Sequence, residues 1–427
     1  KGYRVDIFER RPDMRTGKVS GGRSINLALS ARGIYSLEEV GLYDEIKKIS
    51  IPMYGRMVHL PAGELYFQRY GKDDSEYINA VSRAGLNRSL INLAEKDKNI
   101  NFYFNYRCDG FNFIDGELKL FNEDTFEHSW LERNSVIAAD GAFSAVRNEM
   151  LKHTRFNYNQ EFENYGYKEL TIPPGIDNSF LLEKNALHIW PRGSFMLIAL
   201  PNIDGSFTCT LFLAHEFSLG GSNSFEFLKD ERKVLEFLSR NFPDAFNLMT
   251  GPAEEFFQNP TGNLVTVKCY PWSFEDKVVL LGDSAHAIVP FFGQGMNAAF
   301  EDCSCLNDLI GKHKDDWKTV FDEFQKQRKA NTDAIADLAR ENFIEMRDLV
   351  ATQRFQLKKK IEAELQKKYP KKFIPKYSMV TFMRIPYSEA MNRGKAQDDI
   401  LDALTEKISN IDKADWDLAK SLIQKKL

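Results

Sequence analysis

The sequence predicts an α/β protein: a discontinuous parallel-sheet domain of Rossmann-like type, carrying an inserted antiparallel β-sheet domain and ending in a helical region. Three features of the chain predict it. Short apolar runs, Val136–Ala139 and Val278–Leu281, pass directly into Asp140-Gly141 and Gly282-Asp283. Strands that end this way deliver ligand-binding residues to the carboxyl edge of an open parallel sheet. Between them, at about 165–213, β-branched and aromatic runs follow one another with turn signals between, which favours an antiparallel sheet over further βαβ units. After Gly295 the chain reads as helical for most of its length, interrupted near Pro370, Pro375 and Pro386.

Taken in order, Val5 and Ile7 alternate with Arg4 and Asp6, so Tyr3–Glu9 is a strand that ends on an acid. Residues 26–49 read as mostly helical, with Leu27, Ile34, Leu37 and Ile46 near helical spacing. Ser82 is placed to cap a helix whose stripe is Leu86, Leu90, Leu93 and Ala94. Phe111 and Phe113, then Leu118 and Leu120, alternate about Asp115-Gly116, the signature of a hairpin. The β block comprises Tyr167–Ile172, Leu187–Trp190, Phe195–Leu200 and Phe207–Leu213, and a helix is predicted near 224–241. Eight lysines fall between Lys358 and Lys376, a density that anionic lipid attracts. Ile361, Leu365 and Tyr369 recur through them at i, i+4 and i+8, so the reading is a solvated helix face over a packed stripe.

The chain has 427 residues, room for roughly two to three domains at about 150 residues each. Against 57 basic residues stand 61 acidic ones, which excludes the global basic footprint of a nucleic-acid binder. No apolar run reaches the roughly eighteen residues of a membrane span, so no transmembrane anchor is predicted. The five cysteines form no C-x-x-C pair and no zinc-type spacing with the seven histidines, so reduced thiols and no metal are expected.

Three strings carry chemistry. Glu9, at a strand tip, is a surface acid or the partner of a ribose hydroxyl pair. In Asp140-Gly141-Ala142-Phe143-Ser144-Ala145-Val146-Arg147, a carboxylate and open backbone sit at a sheet edge, Ser144 caps a helix and Arg147 adds a fixed cation. In the third, Gly282 to Asn297, Asp283 ends a strand and Pro290 breaks the chain. Gly293 and Gly295 there allow a flat ring or a phosphate to approach the backbone, and the helix beginning near Gly295 directs amides and its dipole at anionic oxygens. His286 reads as a satisfied buried imidazole in preference to an acid–base group.

The last two strings resemble the second and third fingerprints of the flavin-dependent aromatic hydroxylases, typified by para-hydroxybenzoate hydroxylase. Within that group the resemblance is to the kynurenine 3-monooxygenase family. It is carried by Gly22-Arg23-Ser24-Ile25-Asn26-Leu27-Ala28-Leu29-Ser30, Leu187-His188-Ile189-Trp190-Pro191-Arg192, Ser206-Phe207-Thr208-Cys209-Thr210-Leu211-Phe212, Val289 to Asn297 and Ile374 to Phe382, and it runs from Lys1 to about residue 395. It departs from the family at two places. The N-terminal strand with its G-x-G-x-x-G loop is not in this sequence, and Asp412–Leu427 is short and charged where eukaryotic members carry a membrane anchor. A soluble, bacterial-type, cytoplasmic protein is expected.

The resemblance implies FAD held by Glu9, Arg83, Asp283, Pro290 and the turn Gly293, Gln294, Gly295, Met296, Asn297. It implies NADPH as co-substrate, O2 as oxidant and L-kynurenine as substrate, held at its amino-acid end by Arg56, Tyr70, Asn342 and Tyr377. No protein nucleophile is expected, because the chemistry is the flavin's: a C4a-hydroperoxide hydroxylates the aniline ring ortho to its amino group. The implied division is an FAD-binding domain in pieces at 1–60, 83–160 and 266–325, with substrate-domain strands at 61–82. A β-sheet substrate domain takes 161–265, and a helical region at 326–427 closes the substrate pocket. Two alternatives stay open: a hydroxylase of another aromatic acid, and a silent form that binds kynurenine-like ligands without FAD.

Overall fold

The computed structural model describes residues 2–17, 26–153, 155–350, 352–406 and 408–427. The chain divides into two compact units, each assembled from three stretches. The first comprises Lys1–Ser50, Val81–Phe162 and Val265–Ala336; the second comprises Ile51–Ala80, Glu163–Leu264 and Asp337–Leu427.

In the first unit the strand Val5–Glu9 pairs in parallel with Ile100–Phe104, and Val136–Ala138 pairs in parallel with Val278–Leu280. Val278, Val279 and Leu280 are fully buried, which is why the run is apolar at every position instead of alternating. They pack with Trp272, Phe321, Phe324 and the inward side of an antiparallel sheet, Tyr106–Asn112, Glu117–Asn122 and Glu127–Glu132. The predicted hairpin supplies one edge and the central strand of that sheet, with Phe111, Leu118 and Leu120 buried. A second core joins Leu29, Leu37, Leu42, Ile46, Val81 and Leu86. There the helix Ala31–Glu39 meets the helix Gly295–His313 so closely that a Cβ on Gly33 would lie 2.6 Å from Asn297 Oδ1. Only glycine permits that approach.

The second unit is built on a seven-stranded sheet in the order Gly262–Tyr270, Asn157–Ile172, Phe207–Ala214, Met196–Pro201, Ala186–Pro191, Gly55–His59, Leu65–Arg69. Ala186–Pro191 and Gly55–His59 run parallel; the pairs that Phe207–Ala214 makes with Asn157–Ile172 and Met196–Pro201 are antiparallel. Leu170, Ile172, Leu197, Ala199, Leu211 and Leu213 pack against Val234, Phe237 and Leu238 of the helix Glu231–Asn241. The C-terminal helices Gln353–Lys368, Tyr387–Thr405 and Trp416–Lys426 enclose a further core. Its Ile361 and Leu365 are the predicted stripe beneath the lysines, packed with Phe373, Ile400 and Ile423.

Four expectations are corrected. Residues 26–49 begin as the strand Leu27–Leu29, and the helical remainder breaks between Ala31–Glu39 and Tyr43–Lys48 at Gly41, whose φ is +69°. The helix near 224–241 starts only at Glu231, where Asp230 accepts the Lys233 N–H; Ser224 instead donates its hydroxyl to the Gly221 carbonyl. Strand Gly55–His59, placed by sequence in the first FAD piece, belongs to the second unit because it pairs on both sides there. Residues 326–336 stay in the first unit, where Arg328 bonds Asp302.

Candidate active site

Strand ends in the first unit present groups suited to a dinucleotide. Glu9 closes its strand with a half-exposed carboxylate that accepts the Arg11 N–H at 2.9 Å. Gly282, at φ +61°, leads from the strand Val278–Leu280 into Asp283, which is exposed. Pro290 is exposed at the head of a single turn whose Phe291 and Phe292 are buried. Gly293 closes that turn at φ +65°, and the helix Gly295–His313 follows with no side chain capping its first amides. Those amides are donors in need of an acceptor, at the positive end of the helix dipole. Arg83 is exposed on the first turn of the helix Arg83–Ala94, which Ser82 caps as expected by accepting the Gly85 N–H. Carboxylates suit ribose and ribityl hydroxyls, and amides with a guanidinium suit a pyrophosphate, so these residues fit the expected group.

Buried side chains hold this turn in shape. Asn297 donates to the Ala28 and Gly293 carbonyls, each at 2.8 Å, and accepts the Ser30 N–H at 2.9 Å. Gln294 donates to Ser30 Oγ at 3.2 Å, and Met296 packs on the core around Leu29. Asp302, fully buried, accepts the Gly282 N–H at 3.2 Å and Arg328 Nε at 2.7 Å, and faces His286 Nε2 at 2.5 Å. Burial alone would raise its carboxyl, but His286 and Arg328 hold it below the usual range. His286 is thus the satisfied imidazole its context suggested. Arg147 departs from expectation: it is buried and donates to the Ser284 and Ala142 carbonyls at 2.7 and 2.6 Å, bracing the turn instead of presenting a cation.

Three of the four expected substrate residues gather closely in the second unit. Arg56 projects from the strand Gly55–His59, buried, with its guanidinium carbon 5.6 Å from the Tyr70 ring centre and 5.4 Å from that of Tyr377. The two phenols stack at 5.1 Å and 13°. Burial works against the Arg56 charge, yet Tyr70, Tyr377 and Glu345 leave its pKa above the ordinary value. Burial raises both phenols as well, against the pull of the guanidinium. The result is one fixed positive charge flanked by neutral hydroxyls, a receptor for a carboxylate. Asn342 is buried in the last turn of the helix Trp317–Ile344 and donates to Met346 Sδ at 3.4 Å.

Sequence reasoning passed over two residues here. Glu345 opens a π-helical turn, Glu345–Leu349, and brings Oε1 to 3.9 Å from Arg56 Nη1. Lys359, a member of the lysine run, is only a quarter exposed; burial opposes its charge, but Glu362 and Glu345 raise its pKa. The one available signal was that Glu345 lies a helical turn beyond Asn342. The string Leu187 to Arg192 proves to be scaffold. His188 faces His59 Nε2 at 2.9 Å, His59 faces Asp244 at 2.6 Å, and Trp190 donates to Asp244 at 2.9 Å. Burial pushes His188 down to about 4. By strand alternation His59 points to the sheet face opposite Arg56. Gly22, Arg23, Ser24 and Ile25 of the first string lie outside the described residues.

Comparison with known proteins bears on both units. Residues 254–339 match a family described as FAD binding domain. Kynurenine 3-monooxygenase of Flavobacterium johnsoniae is 48% identical over 413 residues, covering 96% of this chain and 90% of its own. That of Myxococcus xanthus is 47% identical, covering 100% of this chain and 91% of its own. That of Dictyostelium discoideum is 44% identical, with 100% and 94% covered. Among solved structures, p-nitrophenol 4-monooxygenase PnpA from Pseudomonas putida superposes with a TM-score of 0.64 at 17% identity over 85% of this chain and 88% of its own. A 2-methyl-3-hydroxypyridine-5-carboxylic acid oxygenase gives 0.61 at 18%, with 85% and 90% covered. These two bear on the fold, which is that of the flavin-dependent aromatic hydroxylases.

Proposed function

This chain belongs to the kynurenine 3-monooxygenase family, and from that premise we propose that it is an FAD-dependent monooxygenase that hydroxylates L-kynurenine to 3-hydroxykynurenine with NADPH and O2. The observation that carries the substrate is the buried Arg56 beside the stacked Tyr70 and Tyr377 rings. A guanidinium receives the α-carboxylate in a bidentate grip, and the phenols add neutral donors without altering the charge. Asn342 supplies a further amide at the same end. When bound, FAD supplies the oxygen-transfer chemistry, with NADPH as reductant.

The chain's own tasks are to bind, orient and exclude water. Glu9 and Asp283 would accept hydrogen bonds from the hydroxyls of the ribose and ribityl chain. The Gly293 N–H is spent on the Pro290 carbonyl at 2.9 Å, so Gly293 would serve by its open backbone, while Gln294, Gly295, Met296 and Asn297 at the helix start, with Arg83, would hold the phosphates and the flavin. Pro290 with the buried Phe291 and Phe292 forms a dry wall. The domain reading follows: the first unit holds the cofactor and the second the substrate. No helix among the described residues is long and apolar enough to cross a membrane. We read the location as cytoplasmic, on five cysteines that are all free thiols; burial pushes Cys108 and Cys269 up to about 12, which keeps them protonated.

The test is NADPH oxidation by the FAD-loaded protein with and without L-kynurenine, the product read by mass. Faster oxidation with a product one oxygen heavier is expected. Faster oxidation that yields only hydrogen peroxide would make kynurenine an effector, and no response would remove it as substrate.

A further inference from the structure

Glu345 stands beside Arg56 without forming a close pair. Among the described residues it is the carboxylate within 4.0 Å of that guanidinium, and its 3.9 Å separation exceeds the roughly 2.7–2.9 Å of a charge-assisted hydrogen bond. Arg328, equally buried, closes on its own carboxylates at 2.6 and 2.7 Å. The cations that face Glu345 from neighbouring helices are engaged elsewhere. Lys359 bonds Glu362 at 3.0 Å and Lys376 bonds Asp398 at 3.0 Å. The side chain of Glu345 is 26% exposed, held at the start of the π-helical turn, where Val350 N–H returns to the Glu345 carbonyl at 3.0 Å. Such turns recur where a helix has to present a group out of its regular period.

We infer that Glu345 receives the α-ammonium of the substrate while Arg56 receives its α-carboxylate, so that the pair recognises an amino-acid head group and discriminates against aromatic acids that lack the amine. This rests on the reading of the chain as a kynurenine hydroxylase. A positive and a negative group a few ångströms apart, each short of a contact partner of the opposite sign, match a zwitterion whose own charges sit on one carbon. A simple carboxylate bound at Arg56 would instead bring a second negative charge up to Glu345, in surroundings where such repulsion is poorly screened. Discrimination of this kind is a difference of affinities, built from an attraction to one ligand and a repulsion of the other.

The experiment is calorimetric binding to the oxidised holoenzyme, without NADPH, of L-kynurenine and of its des-amino analogue 4-(2-aminophenyl)-4-oxobutanoate. The unmodified protein is expected to prefer L-kynurenine by at least about ten-fold. Glu345→Gln should bring the two ligands within about three-fold, through weaker kynurenine binding with the analogue unchanged or tighter. Glu345→Asp, which keeps the charge, should retain most of the preference. Equal affinities in the unmodified protein overturn the inference and leave the substrate reading intact. So does a Glu345→Gln loss of the same factor for both ligands, which would mean that Glu345 only orients Arg56. Failure of the unmodified protein to bind L-kynurenine at all overturns both.

Discussion

Asp302 in the first unit and Arg56 in the second are both buried charges, and they are surrounded in different ways. Asp302 takes an arginine, a histidine and a backbone amide at contact distance, and Arg328 reaches on to Glu301, which also binds Arg32 at 2.9 Å. Arg56 has two aromatic rings with neutral hydroxyls, and a carboxylate kept at 3.9 Å. A charge that serves the fold is neutralised from within, because burying it otherwise costs several kcal/mol. A charge that serves a ligand is stabilised enough to persist and is left short of its full set of partners. The same chemistry therefore reads as scaffold or as receptor according to how completely it is satisfied.

That comparison breaks first at Asp302. Asp302→Ala leaves His286, the Gly282 N–H and Arg328 Nε without their shared acceptor in the interior, although Arg328 keeps Glu301, and should destabilise the protein by about 3–5 kcal/mol, read as a lowered denaturation midpoint. Arg56→Met is the converse: unfolding should change little, while L-kynurenine binding weakens by about a hundred-fold, followed by calorimetry on the holoenzyme. Loss of stability from Arg56→Met on the scale of Asp302→Ala would mean that the receptor charge is structural after all.

The smallest effect lies in acid. The Asp302 carboxyl is lowered in the folded state, so its contribution is complete above the unfolded value of about 3.9 and is lost as pH falls through the folded value. Asp302→Asn should flatten the stability curve below about pH 4. Arg56 is raised above an already high value and stays charged throughout, so the curve of Arg56→Met should run parallel to that of the parent. Urea denaturation at a series of pH values distinguishes the two slopes.

What the sequence made legible was local. Strand Val278–Leu280 announced itself because all three residues are apolar and buried, and Ser82 and Ser144 cap helices because a hydroxyl at that position reaches an amide three residues on. Arg56, Tyr70, Asn342 and Tyr377 were named through the family resemblance, since nothing in their immediate context separates a receptor arginine from a surface one. Glu345 and Lys359 were not found, because their proximity to Arg56 is created by tertiary packing between residues more than half the chain apart, and a π-helical turn leaves no periodic signature. Arg147 misled for the opposite reason. Its neighbours promise a ligand site, and only the folded chain shows that two carbonyls already occupy the guanidinium.

The grip of Asn297 on residues 28–30 has a consequence for biosynthesis. The bond to the Ser30 amide spans 267 residues, so the early segment emerges from the ribosome long before the partner that fixes it. At about 5–20 residues per second that interval is about 13–50 s. Leu29 and Leu37 can meet Leu42, Ile46, Val81 and Leu86 early in that interval, but Met296 and Phe300 of the same core arrive only at its end. The cofactor cradle is therefore a late product of translation.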